Sequence, residues 1–493
     1  MMVQLPKSIV IVGGGIAGWM TAAYLAKKWG QKTQISLIES SQIGTVGVGE
    51  GSTPFLKQFF ADLGWHEEDW MPQCNATYKT GIEFSQWTNS ERFASYFHPF
   101  FTPLDLSTGD AFFEHCNRLR TGRGDADVKP EHYFSAAELV RQRLSPSSVK
   151  LPGDIDYAYH FDAIKLAALL KNFALNLGVY HIEGKINEVF TQNSQIQSLL
   201  LESGETLTAD LYVDCSGFSG LLMKQALKAN FISYSDTLFN NAAVAIGTLH
   251  SDQAPLVPQT KSIGLKNGWM WQIPLTSRIG NGYVYSTEFC SPEEAETEVR
   301  QALNVDESVP ARHLKMQVGR LENHWQGNCV AIGLAEGFIE PLEATALMLV
   351  QYAIYELEKG FTSNHPLQTA QQNYNNEINR MFDGIRDYIA AHYYLNTRED
   401  TAYWRACREQ IKVPDNLAYL LDAWDSGACF ETALDHLDTQ LVYLRPSWYC
   451  ILAGMGRFKG TQPNPVAPKN EESLALLQKA VNHYFYKQQF PIV

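Results

Sequence analysis

The sequence predicts a mixed α/β fold, with a parallel sheet near the N-terminus and a mainly helical C-terminal region. Three observations carry this. Ser8 to Val12 (SIVIV) is a short β-branched run without polar interruption, as expected of a strand buried on both faces. A glycine cluster follows at once, then a helical pattern ending at Gly30, then a second apolar run, Gln34 to Ile38, finishing at Glu39. From Leu367 onward, periodic apolar residues with few β-branched runs (QQNYNNEINRMFDGIRDYIAAHYYL) indicate a helical cap.

Each part of the first motif has a physical task. In Gly13-Gly14-Gly15-Ile16-Ala17-Gly18, Gly13 permits the tight turn, Gly15 lets backbone approach a pyrophosphate, and Gly18 allows the helix to pack on the strand. The helix start at Ile16 and Ala17 presents free N–H groups and a partial positive charge to phosphates. Glu39 lies 21 residues after Gly18, close to the spacing of an acid that bonds ribose hydroxyls. Strand, helix, second strand and terminal acid together predict a dinucleotide site; a glycine-rich turn without ligand would leave Glu39 unexplained.

Composition bounds the rest. A chain of 493 residues that is 45% hydrophobic has material for more than one core. A net charge of −14 without long Lys or Arg runs argues against nucleic-acid binding, which needs a basic surface. The eight cysteines are scattered with no CxxC pair, which argues against zinc and a disulfide framework, so no metal site is expected and a reducing cytoplasm is the expected home. Lys7 and the apolar stretch to Ala17 could pass for a signal peptide, but the glycines interrupt it, and no apolar run is long enough to span a bilayer.

Three further segments carry chemistry. In Asn267-Gly268-Trp269-Met270-Trp271-Gln272-Ile273-Pro274, indoles at i and i+2 on an extended segment point the same way and make a flat wall; two core tryptophans on a strand are the bland alternative. In Asn75 to Phe84, alternation places Lys79, Gly81 and Glu83 on one strand face, where glycine beside lysine leaves room for a small molecule, although a surface lysine is the commoner case. In Glu340-Pro341-Leu342-Glu343-Ala344-Thr345-Ala346, Pro341 marks a helix start whose N–H groups suit an anion.

These segments together resemble the flavin-dependent halogenases of the tryptophan-halogenase family, from about residue 8 to about 460. Trp269, Trp271, Ile273 and Pro274 match the family's WxWxIP wall between flavin and substrate; Lys79 matches its lysine and Glu343 its catalytic glutamate. The Thr345 and Ala346 backbone matches its halide site, although Ala344-Thr345-Ala346 replaces the usual Ser-Thr-Gly. Ile43 to Pro54, with Gly49 and Glu50, is similar to its flavin strap, and Tyr96 to Phe100 to the stretch whose His98 and Phe100 stack on substrate. Ala209 to Gly220, Gly327 to Pro341 with Leu334, and Gly184 to Val189 with Ile186 resemble further FAD-contacting stretches of flavoprotein monooxygenases.

The resemblance implies FAD, used as FADH2 from a separate NAD(P)H-dependent reductase because no second fingerprint appears, with O2 and a halide as co-substrates. It implies that hypohalous acid reaches Lys79, hydrogen-bonded there or captured as a haloamine, and that Glu343 orients it and takes the arene proton. The paired tyrosines and Phe-Trp pair of free-tryptophan halogenases are missing before Ser447, so indole-like or other electron-rich aromatics, free or carrier-borne, are favoured; Trp424 or Tyr443 remain candidates to replace part of that lid. Bromide against chloride stays open, as does a homodimer. The expected layout is an FAD module over 1–360, with insertions at about 55–160 and 235–325 walling the substrate pocket, and a helical cap over 361–493. The rivals are a single-component FAD-dependent aromatic hydroxylase and an FAD-bound protein whose site is vestigial.

Overall fold

The computed structural model describes residues 4–42, 44, 49–123, 127–146, 155–250 and 256–458. Part of the strap, Ile43 and 45–48, lies outside these residues, as does Thr461 to Pro468, which the sequence reads as a surface turn before a final helix. The chain divides into two compact units. The first comprises Met1–Ala76, Phe161–Tyr234 and Met316–Asp383; the second comprises Thr77–His160, Ser235–Lys315 and Gly384–Val493.

The first unit is built on a six-stranded sheet. Its centre is β1 (Ser8–Val12), followed by α1 (Ile16–Trp29) and β2 (Gln34–Glu39). β2 pairs parallel with one edge of β1, and Leu211–Asp214 pairs parallel with the other. The chain therefore moves outward through β2 to Tyr180–Glu183, then returns across β1 to Leu211–Asp214 and on to Cys329–Ala331. That reversal leaves a crevice beyond the carboxyl ends of β1 and Leu211–Asp214, where ligands of open α/β sheets bind. Val10, Val12, Ile38, Tyr212, Leu222 and Ala331 fill the core on one face, and Ile9, Ile11, Ile35 and Leu37 are buried on the other, which explains the unbroken apolar runs. A separate three-stranded antiparallel sheet starts at Ile186.

The second unit carries a seven-stranded sheet ordered Ala311–Lys315, Ala242–Thr248, Ile279–Tyr285, Gly268–Pro274, Thr260–Gly264, Gly81–Ser85 and Ser95–Pro99. All its pairs are antiparallel except Thr260–Gly264 with Gly81–Ser85. Its C-terminal part is helical, as the periodicity predicts, with Ala402–Glu409, Asp415–Ser426, Phe430–His436 and Arg445–Gly454. Arg120, almost fully buried, ties this part together by donating to the carbonyls of Ala423, Trp424 and Ala428.

Asp214 shows how the crevice floor is fixed. Its buried carboxylate accepts from Ser216 N at 3.1 Å, Ser216 Oγ at 2.5 Å, Leu222 N at 2.8 Å and Met223 N at 2.9 Å. Asp214→Ala orphans all of these donors and is expected to lower the unfolding free energy by ~2–4 kcal/mol, read from the denaturant midpoint.

Candidate functional site

The glycine turn of the first unit is built for a ligand rather than for a side chain. Gly13 holds φ at +116°, and a Cβ there would lie 2.2 Å from the Cys215 carbonyl oxygen; a Cβ on Gly18 would lie 1.9 Å from the Gly13 carbonyl. Both glycines are demanded by protein–protein approach. Gly15 differs: nothing lies within 4 Å of its would-be Cβ, and it begins α1 with no side-chain cap and no acid in the first turn. The leading N–H groups, at Ile16 and Ala17, are left to bind something else. Gly333, with φ +75°, approaches Ala17 so closely that a Cβ would sit 2.7 Å from the alanine methyl, which brings Leu334 beside the same helix start. This open, positive cradle at the crevice fits the pyrophosphate of FAD.

Glu39 ends β2 as expected, but one of its oxygens already has partners that the sequence did not announce. Oε1 accepts from Lys171 Nζ at 2.6 Å and lies 2.9 Å from His181 Nε2. Oε2 lies under Gly14, where a Cβ would come within 1.5 Å of it. Glu39, His181 and Glu183 approach one another closely enough to hold a cation. Lys171 already supplies that positive charge. On Gly49–Gly51, the half-buried Glu50 carboxyl is pushed up to about 7, chiefly by desolvation and secondarily by Asp162.

Glu343 is buried in a short turn, Pro341–Glu343, that precedes the Ala346–Thr362 helix. The sequence reading placed the helix start at Pro341; it falls at Ala346 instead, because Ala344 adopts a left-handed φ of +56°. Ala344 is therefore strained, at roughly 1 kcal/mol or more. Thr345 occupies the N-cap position without making a cap bond, and its buried hydroxyl has no partner among the described residues. The N–H groups from Ala346 onward are consequently free of side-chain caps.

In the second unit, Lys79 is fully buried, with Nζ 5.3 Å from the centre of the Phe100 ring. The expected continuous strand is broken at Thr80: Thr77–Lys79 pairs with Ala158–His160, whereas Gly81–Ser85 joins the seven-stranded sheet. Gly81 does not leave room for a small molecule, as the sequence reading supposed. A Cβ there would meet the His98 carbonyl and the Phe97 ring, each at 2.4 Å, so the glycine serves strand packing.

Trp269 and Trp271 share a face with ring centres 6.2 Å apart, but the rings are tilted by 58° rather than forming a flat wall. Trp271 lies across Gly282, the residue opposite it, where a Cβ would be 2.0 Å from the indole. Neither indole N–H has a partner among the described residues, a cost of ~1–3 kcal/mol each that packing must offset. Ile273 and Pro274 complete the strand. His98 is buried, with Nε2 3.0 Å from Ser447 Oγ and its ring 6.0 Å from Phe101 and from Tyr388. Tyr443 stacks on Tyr388 with centres 3.7 Å apart. Trp424 is a core residue, its N–H donated to the Arg457 carbonyl at 2.6 Å, and it is withdrawn as a lid candidate.

Sequence reasoning missed His160. Its fully buried ring lies on the strand paired with Thr77–Lys79, with Nδ1 3.1 Å from Thr77 Oγ1 and Nε2 2.8 Å from Thr260 Oγ1. A lone histidine between aromatic residues (AYHFD) carries no spacing signal, so only the fold reveals it.

Comparison with known proteins gives a consistent result. The family model for tryptophan halogenase matches residues 8–469. The tryptophan 6-halogenase SttH of Streptomyces toxytricini is 36% identical, over 93% of this chain and 91% of its own. The tryptophan 7-halogenase RebH of Lentzea aerocolonigenes is 38% identical, over 91% and 89%. The crystal structure of SttH superposes with a TM-score of 0.84, covering 99% of this chain and 98% of its own at 33% identity. BrvH, a flavin-dependent halogenase from Brevundimonas sp. BAL3, superposes with a TM-score of 0.82, covering 97% of each chain at 30% identity.

One residue of the first unit makes the site region sensitive to pH. Glu336 follows the Gly333–Ala335 turn, is fully buried, and neither carboxyl oxygen has a hydrogen-bond partner among the described residues; His324 Nδ1 is 3.7 Å away. Burial raises its pKa well above the ordinary 4.5, so the folded protein keeps a proton that the unfolded chain gives up. Stability from this proton is complete below about 4.5 and declines as pH rises toward the folded pKa. Glu336→Gln is expected to remove that decline, so its melting temperature should gain on the parent as pH rises from 5 to 8 in roughly unit steps.

Proposed function

This chain belongs to the tryptophan halogenase family of flavin-dependent enzymes, and we propose that it halogenates an indole-like or other electron-rich aromatic substrate. The observation that carries the reading is Lys79, an amine removed from water on a strand bonded to the end of the Trp269–Pro274 segment through Thr77. A buried lysine so placed is a holder of a reactive electrophile rather than a solubilising charge. When bound as FADH2 from a separate reductase, the flavin supplies, with O2, the oxidation that converts halide to hypohalous acid.

The protein's own residues do the rest. The cradle at Gly13, Gly15 and α1 holds the pyrophosphate, with Glu39 at the ribose end and Gly49, Glu50, Ile186 and Leu334 along the cofactor. The uncapped N–H groups at Thr345 and Ala346 hold the halide. Trp269, Trp271, Ile273 and Pro274 keep the aromatic away from the flavin. Lys79 holds the hypohalous acid, which delivers its halogen to an arene carbon. A carbon–halogen bond forms, the oxygen–halogen bond breaks, and Glu343 takes the proton from the same carbon, which with the departing hydroxide makes water. Holding both reactants replaces an indiscriminate oxidant with a positioned one.

His98 and Phe100 offer rings to the substrate, while the Tyr388–Tyr443 stack beside His98 suits a flat apolar body more than an ammonium and a carboxylate. Indoles without the amino-acid head are therefore the favoured substrates. Family membership disfavours the hydroxylase reading. No helix among the described residues is long and apolar enough to cross a membrane. The partners proposed are a flavin reductase and a small aromatic molecule, with a homodimer compatible and the cytoplasm as the setting.

The test is mass spectrometry of an indole panel, including tryptophan, incubated with the protein, FAD, a reductase, and bromide or chloride. A bromine doublet on an indole lacking the amino-acid head is expected, at higher yield than on tryptophan. Product that carries added oxygen and no halogen would overturn the reading.

A further inference from the structure

The side chain of Lys79 is long and flexible, so its aim depends on what fixes the strand that bears it. One residue after it, Thr80 donates its N–H and its hydroxyl to the Pro258 carbonyl at 2.8 and 2.9 Å. Two residues before it, Thr77 donates its hydroxyl proton to the Pro274 carbonyl at 2.6 Å. That carbonyl can only accept, and a hydroxyl has one proton. Thr77 Oγ1 must therefore be the acceptor toward His160, whose Nδ1 is the donor 3.1 Å away.

The rest of the chain follows by elimination. With the proton on Nδ1, Nε2 of a neutral imidazole is an acceptor, and the Thr260 hydroxyl at 2.8 Å donates to it. The order is Thr260 to His160 to Thr77 to Pro274, every donor matched to one acceptor. A second ring proton would break the match at Thr260 and add a buried positive charge near Lys79. Burial first, and the Lys79 charge second, hold the His160 pKa well below its ordinary value. A neutral, single-tautomer ring is what the geometry requires.

We propose that His160 is a positioning residue for Lys79: its Nδ1–H tautomer is the central link of the hydrogen-bonded chain that fixes the Thr77–Lys79 strand against Pro274, at the end of the double-indole segment. This rests on the reading of Lys79 as the holder of oxidised halogen. His160 itself touches no reacting atom. Its contribution is to keep the amine in register, so that the oxidant is passed to the arene rather than lost to water.

The experiment compares holoenzyme variants for the share of oxidised halide that ends in aryl halide and the share captured by an added β-diketone trap. His160→Leu removes both bonds. It is expected to leave oxygen consumption unchanged while aryl halide falls roughly 10- to 100-fold, the loss that about an ångström of misplacement brings, with the trap taking the difference. His160→Asn, whose amide N–H stands near the Nδ1 position, should recover most of the coupling. His160→Gln, whose amide oxygen reaches only toward Thr260, should recover little. In FAD-free protein, His160→Leu should also speed reductive methylation of Lys79, followed by mass spectrometry. If His160→Leu fails to fold, Thr77→Val interrupts the same chain and should show the same partition. Parental coupling in both variants overturns the proposal, as does rescue by Gln but not Asn. Lys79→Ala, run alongside, separates the two readings: aryl halide from that variant would sink the role of Lys79 itself, whereas its loss with fully coupled His160 variants would sink only the role of His160.

Discussion

Withdrawing an amine from water costs several kcal/mol unless the surroundings compensate, and the second unit is arranged around that cost at Lys79. The ring face of Phe100 offers the ammonium form electrostatic attraction, while the strand carrying it is bonded on both sides by Thr77 and Thr80. The chain turns from one sheet into another where the lysine ends its strand. An amine fixed in this way has few conformations to lose when it engages a ligand, which is how preorganisation raises the rate of a positioned reaction.

The first unit solves a complementary problem with backbone instead of side chains. α1 and the Ala346–Thr362 helix both start without a side-chain cap and without an acid in the first turn. Other helices vary: Ser291 and Glu294 form a capping box and Asp162 accepts from two N–H groups of its helix, whereas Phe55–Leu63 and Arg445–Gly454 also start without a side-chain cap. In the proposed reaction the free N–H groups of the α1 and Ala346–Thr362 starts receive a pyrophosphate at one and a halide at the other. The left-handed Ala344 adds strain directly before the second of these.

Legibility in the sequence followed the range of the interactions involved. The parallel core, α1 and the helical C-terminal region were readable because burial imposes period and punctuation on contiguous residues. Lys79, Glu343 and the indole pair were singled out only through resemblance to a family motif. Features made by residues far apart in the chain were not readable. Gly81 looked like space for a ligand but is filled by Phe97, and the indole wall is tilted because Trp271 must lie over Gly282. Lys171 and His181 against Glu39, and His160 against Thr77, emerge only when strands are placed in register. Trp424 looked available for a lid and is locked into the core by Arg457 and Arg120.

In the proposed reaction Lys79 passes oxidised halogen to an aromatic carbon without taking part in making it. The most direct measurement is a three-way balance in Lys79→Met: oxygen consumed, free oxidised halide captured by a trap, and aryl halide formed, each against the parent enzyme. Parental oxygen consumption, all oxidised halide in the trap, and no aryl halide are expected. Aryl halide formed at the parental rate by Lys79→Met would contradict this role of Lys79.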